Sequence, residues 1–139
     1  MSDGGLTWVD RLGPEHGEQL LALFEREWWT QGRDLEGVER MLAGSAEVVA
    51  VLDGDELVAF GRSISDGAYL ATINDIVVAE GRRGEGLGTA VVAELMRRPA
   101  VAAAAHVSLH CLPELIPYYE RLGFAVADRG HYRMEITRG

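Results

Sequence analysis

The chain has no lysine, a single cysteine and no long apolar run, and each absence closes off a class of function. Without lysine there is no nucleotide phosphate loop of the form G-x-x-x-x-G-K-[ST]. With Cys111 as the only cysteine, no internal disulfide can form, and nothing in cysteine usage points to secretion. No run of 18 apolar residues is present to span a bilayer, and the polar, acidic N-terminus does not read as a signal peptide. The four histidines are scattered and no Cys/His cluster has zinc spacing, so no metal is expected. These absences together lead to the expectation of a cytoplasmic protein.

The 139 residues, 47% hydrophobic and 25% charged, suit one domain over 1–139 with a single core. Charge is uneven. Residues 1–70 carry 5 arginines against 14 acids, whereas 71–139 carry 8 of each. An acidic chain lacks the general electrostatic footprint of a nucleic-acid binder. The acidic half favours a cationic amine as ligand, and equally serves as a solvated surface.

The stretch from Ile76 to Thr89, Ile-Val-Val-Ala-Glu-Gly-Arg-Arg-Gly-Glu-Gly-Leu-Gly-Thr, is the most informative in the chain. A β-branched strand runs into a loop with an arginine pair and alternating glycines, and an apolar-periodic helix follows. Such a turn presents backbone N–H groups at the positive end of a helix dipole, where phosphate oxygens bind. Arg82 and Arg83 add permanent positive charge. The glycines read G-x-G-x-G rather than the dinucleotide fingerprint G-x-G-x-x-G. Arg83, Gly86 and Gly88 match the Arg-x-x-Gly-x-Gly of an acyl-CoA site. Downstream, Tyr118-Tyr119-Glu120-Arg121-Leu122-Gly123-Phe124 matches Tyr-x-x-x-Gly-Phe, with Tyr119 in the tyrosine position. In these motifs and their separation the chain resembles the GCN5-related N-acetyltransferases (GNAT), most strongly from about Val58 to Phe124.

The element order agrees. Thr7–Leu12 reads as a strand, and Gly13-Pro14 opens a helix whose face carries Leu20, Phe24 and Trp28. Trp29–Asp34 is a connector, and Leu35–Leu42 a second helix ending at Gly44. Ala46–Leu52 and Leu57–Ser65 form a hairpin across Asp53-Gly54-Asp55. Asp66-Gly67 turns into the strand Ala68–Val78. A helix runs from Leu87 to Arg98, stopped by Pro99, and Pro99–Ala105 is an apolar connector. Val107–Cys111 is a strand, Leu115–Leu122 a helix, and strands at Phe124–Ala127 and His131–Thr137 close the chain. The fold expected is α/β (α+β): a mixed, mostly antiparallel central sheet flanked by helices, as in the acyl-CoA N-acyltransferase fold.

Acetyl transfer to an amine requires the amine neutral, and with a pKa near ~10.4 only about one in a thousand is so at pH 7. It also requires an N–H donor for the carbonyl oxygen and a proton for the leaving thiolate. The resemblance implies acetyl-CoA as cosubstrate, laid along Ile76, Val77 and Val78, with the Val78 N–H as carbonyl donor. Arg82, Arg83, Gly84, Glu85, Gly86, Leu87, Gly88 and Thr89 then hold the phosphates, Thr89 through its hydroxyl or as a cap of its own helix turn. Tyr119 is the acid for the thiolate; packed in the core, it would be an ordinary helix tyrosine.

Asp75 is the first candidate for the base, through water or by holding a cationic amine, and its alternative is a strand aspartate bonded to a neighbouring loop. Glu114 and His110 are fallbacks. Thr72 stands where some relatives place a glutamate, Glu80 where many carry proline, and Leu112 where many carry asparagine, so no role carries over to those side chains. The acceptor pocket is expected among Trp29, Arg33, Arg62 and Asp66, with Trp28 assigned to the core. The function expected is direct transfer of acetyl to a primary amine of a small molecule. A protein or peptide acceptor, or a non-catalytic acyl-CoA-binding module, are the alternatives. The family pairs in several ways, and a homodimer is compatible with the sequence.

Overall fold

The computed structural model describes residues 5–138. Strand β1 (Leu6–Val9) leads into helices α1 (Pro14–Glu25) and α2 (Leu35–Gly44), then strands β2 (Glu47–Asp53), β3 (Glu56–Ser65) and β4 (Leu70–Val78). A 3-10 turn at Glu80–Arg82 precedes α3 (Leu87–Arg97), the short α4 (Pro99–Ala102), β5 (His106–Ser108) and α5 (Ile116–Glu120). The sheet order is β1-β2-β3-β4-β5, antiparallel through β4 and parallel between β4 and β5. The mixed, mostly antiparallel sheet flanked by helices is the fold the motifs imply.

Strand alternation sorts the apolar residues onto two faces. Leu20, Phe24, Val38, Val48, Ala50, Phe60 and Val77 pack together on the α1–α2 face. Val49, Val51, Val58, Ile73, Val91 and Leu95 pack on the α3 face. Phe24 and Phe60 meet edge to face at 5.9 Å, a geometry worth about 0.5–1.5 kcal/mol beyond area burial.

Helix α1 ends three residues before Trp28, which is 72% exposed and not part of the core. The apolar periodicity runs past the true helix end. Thr30 takes the interior place instead, its hydroxyl donating to the Phe24 carbonyl at 2.6 Å while it lies 1% exposed. That bond adds to the one the same carbonyl accepts from the Glu27 N–H at 3.1 Å and fixes the connector against the helix end.

Past β5 the structure is less regular than expected. The strand expected over Val107–Cys111 is limited to His106–Ser108, and part of the expected connector forms the single turn of α4. The strands expected at Phe124–Ala127 and His131–Thr137 do not form. Tyr132, Met134 and Ile136 keep the alternation of a strand but are largely exposed. Alternation gives a segment a face to bury, not a neighbour to bond, and no ladder partner reaches it among the described residues.

Candidate active site

Two breaks in the regularity of β4 build the site. The first is a bulge. Phe60 pairs with Val77 and Arg62 with Asn74, so Asp75 and Ile76 together oppose Gly61. Asp75 adopts the left-handed region at φ 59° that such a bulge requires, tolerable for an aspartate. Gly61 leaves room for it: a Cβ there would lie 2.5 Å from Ile76 Cδ1 and 2.6 Å from Val91 Cγ1. A glycine inside a strand pattern is the sequence signal for such a close approach.

The second break is an opening. β4 pairs with β5 only through Leu70–His106, Ala71–Val107 and Thr72–Ser108, while its pairing with β3 continues to Val78. Beyond Thr72 the edge of β4 facing β5 therefore has no strand beside it among the described residues. The Ala79 N–H donates to the Val58 carbonyl at 2.8 Å, which makes that pair a hydrogen-bonded one. By antiparallel alternation the adjacent Val78 turns its N–H and C=O away from β3, into the opening. An extended amide-bearing chain fits such an edge by the rules of strand addition.

The glycine loop lies at the end of this edge. Gly84 (φ 85°) and Gly86 (φ 81°) occupy the left-handed region, and Gly86 is the residue from which α3 starts. Among the described residues no side chain caps α3, so its first N–H groups remain available to a phosphate. A Cβ at Gly81, Gly84 or Gly86 would meet nothing within 4 Å, so the loop is open space. Glycine is needed at Gly84 and Gly86 for backbone geometry rather than for room. The site fits the phosphates and amide arm of coenzyme A.

The arginines are less free than their sequence suggests. Arg82 bonds Asp53 at 2.7 Å and Glu85 at 3.2 Å. Arg83 bonds Glu27 at 2.6 Å, and its Nε reaches the Val78 carbonyl at 3.4 Å. Glu27 and Asp53 lie 56 and 29 residues from their partners, and no spacing rule finds such pairs. The side chains of Val77 and Leu87 are buried, so any part they play in binding is through their backbone. Gly88 and Thr89 occupy the first turn of α3.

Asp75 is the largest departure from expectation. Its carboxylate, 8% exposed, accepts a fork of hydrogen bonds from Arg33 at 3.0 and 3.2 Å and a third from Arg62 Nε at 2.7 Å. Burial works to raise its pKa, but the hydrogen bonds from Arg33 and then Arg62 prevail and hold it below the usual aspartate range. A base needs the opposite shift, and a carboxylate shared by two cations has no net negative charge to offer an amine. Arg33 is further held over the Phe24 ring at 4.5 Å, and Arg62 Nη1 lies 3.4 Å from the Ser45 hydroxyl.

Tyr119 packs on the α3 face in the same cluster as Ile76 and Val78, edge to face with Phe124 at 6.0 Å. Burial first, then Tyr118 and Cys111, push its hydroxyl above the usual tyrosine pKa, so it stays protonated near neutrality. Asp66 is committed to its own turn, accepting from the N–H groups of Ala68, Tyr69 and Leu70 at 2.8, 2.7 and 3.1 Å. Trp29 is 47% exposed, edge to face with Trp28, in the connector beside Arg33. His110 is exposed and bonded to Arg133, and Glu114 is exposed. Among the described residues no cluster of His, Cys, Asp or Glu is able to hold a metal, and no helix is long and apolar enough to cross a membrane.

The five-stranded, mostly antiparallel sheet flanked by helices is the acyl-CoA N-acyltransferase fold shared by solved acetyltransferase structures. The chain belongs to the acetyltransferase (GNAT) family, whose model matches residues 10–124. It is 29% identical to the uncharacterized N-acetyltransferase ycf52 of Pyropia yezoensis and 30% identical to that of Porphyra purpurea. Each match covers 110 residues, 76% of this chain and 63% of the relative. The crystal structure of a candidate acetyltransferase from Deinococcus radiodurans R1 superposes with a TM-score of 0.78 at 27% identity, over 96% of this chain and 91% of that one.

Proposed function

We propose that this chain is an N-acetyltransferase that moves the acetyl group of acetyl-CoA directly to a primary amine of a small molecule, acting as one cytoplasmic domain over residues 1–139. The observation that carries the reading is the unpaired edge of β4, with the Val78 N–H turned into it, ending at the uncapped start of α3. The cosubstrate supplies an activated carbonyl. The N–H groups from Gly84 to Thr89 bind its phosphates, and the Val78 N–H donates to the carbonyl oxygen as charge develops there. As the amine nitrogen bonds the carbonyl carbon and the carbon–sulfur bond breaks, Tyr119 gives its proton to the departing sulfur. Asp75 positions Arg33 and Arg62 rather than taking a proton, and solvent at the open site removes the proton of the amine.

The test is thiol release from acetyl-CoA across small amines, amino acids, polyamines and peptides, with the product identified by mass spectrometry. Sustained release with one small-amine class supports the reading. Turnover confined to peptides transfers it to a protein acceptor. Cofactor binding with no acetylated product makes the chain an acyl-CoA-binding module, and absence of cofactor binding overturns all three.

A further inference from the structure

We infer that Arg33 and Arg62 form a subsite for a carboxylate on the acceptor, so that the preferred substrate is an amine that also carries an acid group. The inference rests on the acetyltransferase reading and names its acceptor class.

Two guanidiniums meet one carboxylate, which leaves a positive charge uncancelled. Asp75 is nearly out of solvent at 8% exposure while Arg33 is 31% exposed, so an approaching ligand meets the cation rather than the anion. Donors also remain. Arg33 directs Nη1 and Nη2 at Asp75, and Arg62 directs Nε there and Nη1 at Ser45. Arg33 Nε and Arg62 Nη2 have no partner among the described residues, and an arginine carries five N–H donors in a rigid fork suited to a carboxylate.

Among the described residues Arg33 and Arg62 form ion pairs with Asp75 alone. Of the acids near Arg33 in sequence, Glu27 has its charge matched by Arg83, while Glu25 and Asp34 direct their carboxylates at the Gly32 and Gly37 N–H groups. The position is suitable as well. Asp75 precedes Val78 by three residues of β4, at most about 10 Å of strand and less across the bulge, so the cation pair and the carbonyl donor belong to the same short stretch of β4. The acidic balance of the N-terminal half suggests a cationic acceptor, but the local charge at the bulge has the opposite sign.

The experiment compares kcat/KM for α- and ω-amino acids with that for their amides and for alkylamines of matched length, in the parent and in Arg33→Gln and Arg33→Lys. Hydrogen bonds to a charged group lead us to expect an acid-over-amide preference of about ten- to a hundredfold. In Arg33→Gln that preference falls toward one, and Arg33→Lys restores it only in part, because a point charge lacks the fork. A purely structural arginine lowers acid and amide alike and leaves the ratio unmoved, which overturns the inference. Equal kcat/KM for acids and amides in the parent overturns it too, while leaving the acetyltransferase reading intact. No turnover with any amine sinks both.

Discussion

Replacing Asp75 by asparagine separates the charge of the bulge from its shape. Asparagine has the same size and tolerates the left-handed region at least as well, so φ 59° costs nothing new. The lost charge leaves the Arg62 side chain, 14% exposed, and that of Arg33, 31% exposed, facing each other across a neutral amide. Removing one partner of a buried ion pair costs about 3–5 kcal/mol. Since Arg33 reaches solvent, part of that is screened, and about 2–3 kcal/mol remains. For a domain of this length such a loss lowers the melting temperature by about 6–12 °C. Asp75→Ala adds about 1–2 kcal/mol, because alanine resists a left-handed backbone. Calorimetry or circular-dichroism melting of the parent and both variants reads these shifts, and acetyl-CoA titration checks that the glycine loop is intact. A melting temperature for Asp75→Asn within about 2 °C of the parent would refute the clamp. If kcat fell a hundredfold in that stable variant, Asp75 would be a chemical participant after all.

The remaining expectations follow from the same geometry. Gly86→Ala places a side chain at φ 81° at the start of α3, costing about 1–2 kcal/mol and raising the KM for acetyl-CoA more than it lowers kcat, as steady-state kinetics will show. Gly61→Ala brings a methyl against Ile76 and Val91 and costs about 1–3 kcal/mol by denaturant unfolding. The Tyr119 hydroxyl has no hydrogen-bond partner among the described residues, so Tyr119→Phe changes stability by less than about 0.5 kcal/mol. It also lowers kcat by about a hundredfold under conditions where chemistry limits the rate, and an unchanged kcat removes the acid role. Asp75 has its folded pKa depressed, so its contribution is complete above the unfolded aspartate value near ~3.9 and is lost as pH falls below it toward the folded value. Melting temperatures of parent and Asp75→Asn should therefore converge below about pH 3.9 and separate above it.

Local signals were legible in the sequence. The hairpin of β2 and β3, the strand leading to Val78, the stop at Pro99 and the alternating glycines before Leu87 all depend on residues within a turn or two of one another. The backbone demand at Gly84 and Gly86 is of this kind, and so is the resemblance that names the family. The partners of Asp75 were not legible, because the surroundings of a charge are set by segments distant along the chain. Asp75 read alone is a candidate base; bonded to Arg33, 42 residues away, and to Arg62, 13 away, it is an ion-paired carboxylate with a lowered pKa. Trp28 failed for a related reason, since its periodicity was right but Thr30 closed α1 first. The C-terminal alternation of Tyr132, Met134 and Ile136 likewise specifies a face and leaves its partner open.

By itself, then, the sequence determined the glycine-rich turn before α3 and the order of elements as far as β5, because those rest on backbone conformations that particular residues permit. The opening beside Val78, the bulge against Gly61 and the sign of the charge at Asp75 were decided only by the tertiary structure, because each arises where segments distant along the chain meet.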